Sequence, residues 1–523
     1  MLSNVILFFI VSQISYCSII GYGNFFKKKL FNDIWLNNFV NFFIGLIVLS
    51  IFGQLLYYFN LNFKLLNFLI LILGFYYFFK TNNNKIFLRL MTFNALFFSS
   101  LLISKLHEDW PYHFNFIEQI SIHKPIIGIG NVDDIHILSS SFFSYAQKFF
   151  YLPFFEFKLI FIPVYLVFLN SIIFLIQKIY TSGEKNSQIF LIILVVLTIK
   201  FSRISEFGYD YLSNIILLNI FILYLTNIFS KKSNILFKNI YILFFLYAVS
   251  IKITALFFAP LLIYFLISDY IENKRYDFNN TYSLIAVFFI FSIILESFLR
   301  SGCFVYFLET SCVDQNFISW SIDYQRVLDH SRHVELWAKG FYIQDIALEP
   351  LVYLDIKNWF SIWMNNHFFY KIFEFILIPF FLIIFFLITE KIYFKKKYFF
   401  LFIASVISLL LWFYNLPQLR FGLTILIIFF ISLYLIFIKT KLDEAINKRK
   451  YFIIICILIL FFNFKNFDRI NNEFNRNDVH KFENFPFPPE KRILKTKISN
   501  NSTKFLAQEG KTIKFYKWFT IID

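Results

Sequence analysis

Charge is scarce in this chain. Only 16% of its 523 residues are charged, against about a quarter in an ordinary soluble domain. The hydrophobic share is 59% and the mean hydropathy +0.65, more apolar side chain than a soluble core can absorb. Cysteine is scarce too: Cys17 and Cys456 lie within apolar runs, Cys303 and Cys312 share a polar stretch, and no C-x-x-C spacing occurs. That argues against a cysteine zinc site. The first twenty residues have neither a basic leading segment nor an A-x-A cleavage site, so the first apolar run is expected to stay as a helix. Acidic residues are outnumbered, 33 to 49, for a net charge of +16. In a soluble protein such a balance attracts nucleic acid. Here Lys and Arg fall in short clusters between apolar runs, the pattern of cytoplasmic loops, and no nucleic-acid partner is expected. The 81 Phe and 31 Tyr accompany abundant Ile, Lys and Asn, as codon bias in an AT-rich genome would give, so aromatic clusters carry no functional weight.

What remains is a series of apolar runs. A bilayer core of about 30 Å requires about 20 apolar residues per helix, because an unpaired backbone amide in lipid is costly. Such runs lie near 4–22, 37–59, 65–79, 90–104, 158–177, 186–199, 211–229, 235–250, 253–268, 282–299, 370–389, 398–414, 421–438 and 451–465. The fold expected is all-α and polytopic, with about 13–14 transmembrane helices over residues 1–465 and a polar tail over 466–523. Basic residues mark the cytoplasmic side, and they alternate. Lys27 to Lys29, Lys80 with Lys85 and Arg89, Lys178 with Lys185, Lys231 with Lys232, Lys274 with Arg275, Lys391 to Lys397 and Lys439 to Lys450 share one side. The long loops 105–157 and 300–368, the turns 200–210, 251–253 and 415–420, and the tail therefore face outward. The tail, with Phe485-Pro486-Phe487-Pro488-Pro489, reads as a small cap or a partly disordered end.

The unusual polar residues gather on that outward face. The first loop contains His107-Glu108-Asp109-Trp110-Pro111-Tyr112-His113, followed by Glu118, His123 and Asp133-Asp134. Adjacent carboxylates and imidazoles at a membrane boundary offer a general base or a metal site; a solvated helix end is the alternative. In Arg203-Ile204-Ser205-Glu206-Phe207-Gly208-Tyr209-Asp210, Glu206 and Asp210 are spaced to share a helix face with Arg203 one turn earlier. This suits either a hydroxylated or phosphorylated ligand or an internal ion pair. Lys252 stands inside an apolar stretch and Arg420 at the outer end of a late helix, so each either snorkels, pairs with an acid or holds an anion. Cys303 and Cys312 are nine residues apart, and on an oxidising face either a disulfide or two thiols fits. Trp337-Ala338-Lys339-Gly340 and Trp359-Phe360-Ser361-Ile362-Trp363 suit amphipathic interfacial helices.

Taken in order, Glu108-Asp109-Trp110-Pro111-Tyr112-His113, Ser205-Glu206-Phe207-Gly208-Tyr209-Asp210, Ser301-Gly302-Cys303 with Cys312 and Trp320-Ser321, and Leu416-Pro417-Gln418-Leu419-Arg420-Phe421-Gly422 resemble the GT-C-type membrane glycosyltransferases. More narrowly they resemble bacterial multi-pass proteins associated with surface-polysaccharide synthesis. The resemblance spans roughly residues 90–425 and rests on the shared order of motifs. It implies a transferase in the bacterial cytoplasmic (inner) membrane, its site on the periplasmic or extracellular face, moving a sugar from a polyprenyl-phosphate donor to a glycan, lipid or protein acceptor. Glu108 stands where Asp is commoner, so the base it implies is Glu108 or Asp109. Arg203, Lys252 or Arg420 would meet phosphate, Glu206 and Asp210 would hold sugar hydroxyls or position the cations, and His113 would orient the acid or assist a metal. A divalent metal, Mg or Mn, is compatible and its ligands are unassigned. The competing readings are a polysaccharide polymerase and a transporter or flippase, the latter because Lys252 and Glu296 lie in apolar runs and transporters place charge near the bilayer midplane.

The alternation of basic clusters makes a topological prediction. A reporter fused after Lys397 should read cytoplasmic and one fused near Asn316 external; a shared compartment for both would overturn the assignment of every outward segment.

Overall fold

The computed structural model describes residues 2–30, 38–103, 110–132, 141–206, 209–229, 236–273, 280–306, 308–343, 348–388, 396–437, 448–475, 485, 513–516 and 519–522. Among these the chain is almost wholly helical, with eleven helices long and apolar enough to cross a membrane by length and composition. It is an all-α polytopic membrane protein. Three of the fourteen expected runs form helices of less than spanning length: Asn84–Phe97 with 14 residues, Glu184–Lys200 with 17 and Leu236–Ile251 with 16. Local chemistry sets their ends. Asn83 caps the first by accepting from the Ile86 N–H at 3.1 Å, and its interior carries Arg89 and Asn94. The second begins at Glu184 after Ser182-Gly183 and stops at Lys200. The third stops at Ile251, where Lys252 adopts an extended conformation before the 3-10 turn Ile253–Phe258.

Burial inverts between centre and rim. The Tyr209–Phe229 helix is mostly buried and Ser283–Ser301 mostly not, and the rim helices present Leu284, Val287, Phe291, Phe381, Leu460 and Phe464 outward. A soluble protein would hide such residues; on membrane-spanning helices they are the lipid face. With lipid no less apolar than the core, helix association leans on close van der Waals packing, which small residues permit. The first three helices, Leu2–Leu30, Asn38–Tyr58 and Lys64–Thr81, show this at Gly45 and Gly74. A Cβ on Gly45 would lie 1.9 Å from the Ile19 carbonyl oxygen, and one on Gly74 would lie 2.3 Å from Ser18 Oγ.

Helices and a small sheet assemble one face of the bundle. After the Trp110–Ile122 helix, strand β1 (Ile126–Ile127) pairs in parallel with β3 (Thr520–Ile522), which pairs antiparallel with β2 (Ile513–Phe515). Asn131 Nδ2 donates to the Trp320 carbonyl at 2.9 Å, so the first long loop, the second and the C-terminal strands are joined. Of the two segments expected to form interfacial helices, one ends the Tyr324–Lys339 helix and the other lies within Ile356–Trp363. The latter continues through a π-helical stretch, Met364–Ile372, into Phe373–Ile388. Trp363 Nε1 donates to the Pro417 carbonyl at 2.5 Å, while Leu351, Val352, Ile356 and Phe360 stay exposed. The last helix, Lys448–Asn475, runs beyond the 465/466 division drawn from hydropathy.

Cys303 and Cys312 form a disulfide, and Gly302, at φ +74°, makes the turn into it with Ser321 too close to admit a side chain. A bridge of this short span is worth about 2–3 kcal/mol. Peptide mass spectrometry without reduction should find the two cysteines linked, and the Cys303→Ser, Cys312→Ser pair should melt earlier; free alkylation of both in native membranes would contradict the bridge.

Candidate functional site

Two carboxylates at one end of the bundle organise the site. The 3-10 turn Ile204–Glu206 precedes the Tyr209–Phe229 helix, whose first turn contains Asp210, where a negative charge suits the helix N-terminus. Glu206 is fully buried and lies between two guanidinium groups. Arg203 reaches its Oε2 at 2.6 Å and Arg469 its Oε1 at 2.9 Å. Asp210 lies between Lys252 Nζ, 2.8 Å from Oδ1, and Arg420 Nη1, 3.2 Å from Oδ2. Among the described residues each carboxylate thus holds two cations. The extended residue between two helices is what lets Lys252 reach inward. Lys252 and Arg420, for which snorkelling was open, are both paired with Asp210.

Neighbours fix these groups from several sides. Arg420 lies 4.4 Å from the Trp337 ring centroid, so the Tyr324–Lys339 helix roofs the cation, and Arg420 Nε donates to Gln418 Oε1 at 3.1 Å. Asn214 Nδ2 donates to the Arg420 carbonyl at 2.6 Å, and Asn214 Oδ1 accepts from the Thr424 N–H at 3.0 Å. The start of the Leu419–Phe437 helix is thereby locked to the helix bearing Asp210. His113, buried, packs its ring 4.2 Å from that of Tyr209. The Tyr209 hydroxyl in turn meets Ser144 Oγ at 2.6 Å and donates to Gln147 Oε1. Glu108 and Asp109 lie outside the described residues. The helix that begins one residue after Asp109 carries His113 to the residue next to Asp210.

Other buried charges stand apart. Glu296 accepts from Tyr58 at 2.6 Å and Tyr145 at 2.7 Å and pairs with Arg300, whose guanidinium lies 4.0 Å from the Phe116 ring. Glu296 and Lys252, which had raised transport as a reading, therefore both have charge partners. Lys148 bonds Asn62 Oδ1 at 2.5 Å and the Gly53 carbonyl at 3.3 Å, and burial pushes its pKa down to about 7. Burial likewise pushes the Glu118 carboxyl up to about 7 and lowers His123 from its ordinary value. Among the described residues no three His, Cys, Asp or Glu side chains gather, and Glu206 and Asp210, each engaged by two cations, do not suit a divalent ion. Sequence reasoning missed Arg469, which sits among polar residues just after the last apolar run; a cation following an apolar run was the one available signal.

The family model described as Domain of unknown function (DUF8201) matches residues 1–427, and the chain belongs to that family. No curated protein matches it, and no solved structure does. Arg203, Glu206, Asp210, Lys252 and Arg420 lie within the matched stretch; Arg469 lies beyond it.

The shared carboxylate predicts strong coupling. Glu206→Gln leaves Arg469 buried without its counter-charge and should cost about 3–5 kcal/mol. Arg469→Gln should cost less, because Arg203 still neutralises Glu206. In thermal unfolding of the detergent-solubilised protein, the double variant should fall short of the sum by about 1–3 kcal/mol; strict additivity would mean that the two side chains do not interact.

Proposed function

We propose that the chain is a membrane glycosyltransferase that moves a sugar from a polyprenyl-phosphate donor to an outward-facing glycan, lipid or protein. The observation that carries this reading is the convergence of Arg203, Lys252 and Arg420 on Glu206 and Asp210 beside the helix that follows Glu108-Asp109. Its motif order resembles GT-C-type enzymes, and the charge arrangement suits the chemistry. The acceptor hydroxyl oxygen forms a bond to the anomeric carbon and gives its proton to Glu108 or Asp109. The bond from that carbon to the phosphate oxygen breaks, and its electron pair leaves with the polyprenyl phosphate. Positive charge where the leaving phosphate gains charge lowers the barrier. Arg203, Lys252 and Arg420 supply it, and arginine suits the planar contacts that phosphate offers. Glu206 and Asp210 hold the cations at fixed spacing, so little reorganisation accompanies the reaction. His113, wedged against Tyr209, fixes the helix that follows the acidic pair.

Each cation can be removed without stranding a carboxylate, because Glu206 retains Arg469 and Asp210 retains one of Lys252 and Arg420. Arg203→Ala and Arg420→Ala should therefore accumulate normally and weaken donor binding. One of Glu108→Gln and Asp109→Asn should lower turnover by about 10²- to 10⁴-fold, the contribution of a general base. The assay is glycan transfer by membranes with matched protein content. Retained transfer in the double amide variant would sink the mechanism, and loss of solute export with no transferase activity would move the case to a transporter.

A further inference from the structure

Three lysines line one flank of the ion cluster. Lys200 ends the Glu184–Lys200 helix, Lys371 lies in the π-helical stretch Met364–Ile372, and Lys465 lies in the Lys448–Asn475 helix. The Glu184–Lys200 helix packs against both Phe373–Ile388 and Lys448–Asn475. Lys200 Nζ stands 5.8 Å from the Phe375 ring centroid and within electrostatic reach of Lys371, Lys465 and Glu374. Lys465 donates to the Ile199 carbonyl at 2.7 Å and lies within reach of Arg203 and Arg469. Arg469 is also within reach of Glu473. Among the described residues the flank therefore gathers Lys200, Arg203, Lys371, Lys465 and Arg469 against Glu206, Glu374 and Glu473.

Two further observations concern what lies outside the protein. Lys200 closes its helix at the end opposite Lys185, Lys465 lies in the half of its helix away from Lys448–Lys450, and Lys371 precedes the Phe373–Ile388 helix, whose other end leads in sequence to Lys391–Lys397. Lysines on that face run against the bias that keeps basic residues on the cytoplasmic side. Their neighbours Tyr370, Phe373, Phe464 and Phe467 are exposed and aromatic, the surface that a spanning helix turns to lipid and its interface. Like charges beside hydrocarbon repel with little screening. An anion carried by the bilayer would relieve them.

We propose that this flank binds the phosphate headgroup of an anionic lipid, with the phosphate between Lys200, Lys371 and Lys465 and the acyl chains along Phe373 and Phe464. The inference requires only that the chain sit in a bilayer, and it does not rest on sugar transfer. A lipid phosphate held there lies beside Arg203, so the site offers a lipid-borne substrate a lateral path to the Glu206 pair.

The test is native mass spectrometry of the full-length protein in mild detergent, titrated with phosphatidylglycerol, phosphatidylcholine or inorganic phosphate. Phosphatidylglycerol should be retained where phosphatidylcholine is lost. Lys200→Gln and Lys371→Gln should each weaken it about fivefold, the worth of one lysine at an anionic headgroup, while Lys80→Gln at the opposite end leaves it unchanged. Lys465 is kept because it also bonds a backbone carbonyl. Equal retention of both lipids by the wild type, or undiminished phosphatidylglycerol binding in the Lys200→Gln, Lys371→Gln pair, would overturn the proposal. Displacement of phosphatidylglycerol by inorganic phosphate would overturn its lipid source. If the variants fail to fold, the comparison of lipids on the wild type decides alone.

Discussion

Withdrawing Glu206 and Asp210 from water is the constraint on which this end of the bundle depends. A buried carboxylate costs several kcal/mol unless opposite charge and hydrogen bonds compensate it, and no single helix can supply two cations to each. The four that do so come from the bend at Arg203, the interruption at Lys252, the start of the Leu419–Phe437 helix and the far end of the last helix. Segments separated by more than two hundred residues are thereby fixed to one another. Among the described residues the four cations outnumber the two carboxylates they surround.

That arrangement also explains why the middle of the chain is so uniformly apolar. Ridges of Ile, Leu and Phe around the Tyr209–Phe229 helix bring no directional preference of their own, so polar contacts and close approaches must select one packing. Asn214 bridging to Arg420 and Thr424, Asn170 accepting from Tyr16 at 3.0 Å, and the glycine contacts of the first three helices perform that selection. The Glu296, Arg300, Tyr58 and Tyr145 group does the same where the Asn280–Ser301 helix meets the first long loop. Above them the disulfide, the Tyr324–Lys339 helix and the C-terminal strands close the same face, with Trp337 stacked on Arg420.

Hydropathy marked the helices well where the run was long and lipid-facing, and less well where polar side chains sat inside a shorter run. Asn94, for example, interrupts the apolar run near 90–104, and its Nδ2 donates to Ser12 Oγ at 3.0 Å within the bundle. Arg203, Glu206, Asp210, Lys252 and Arg420 were each conspicuous because a charge beside apolar sequence needs a reason. Arg469 was not, because it stands among Asn, Asp and Glu residues where a charge looks ordinary. Pairing partners were equally hidden: an acid four residues along the chain suggests a local bridge, whereas Asp210 is compensated from positions 252 and 420.

By itself the sequence determined that this chain is all-α and membrane-spanning, because the cost of exposing backbone amides or leaving charge in hydrocarbon leaves a one-dimensional record in composition and run length. It also determined that the unusual charges gather at the same ends of successive helices, since alternation along the chain is enough to place them. Only the tertiary structure decided which cation meets which carboxylate, that the last helix completes the cluster through Arg469, and that the C-terminal strands join the first long loop. Those outcomes depend on helix rotation and neighbour order. Electrostatic compensation acts across space, and a sequence preserves no trace of which distant segments lie within 3 Å.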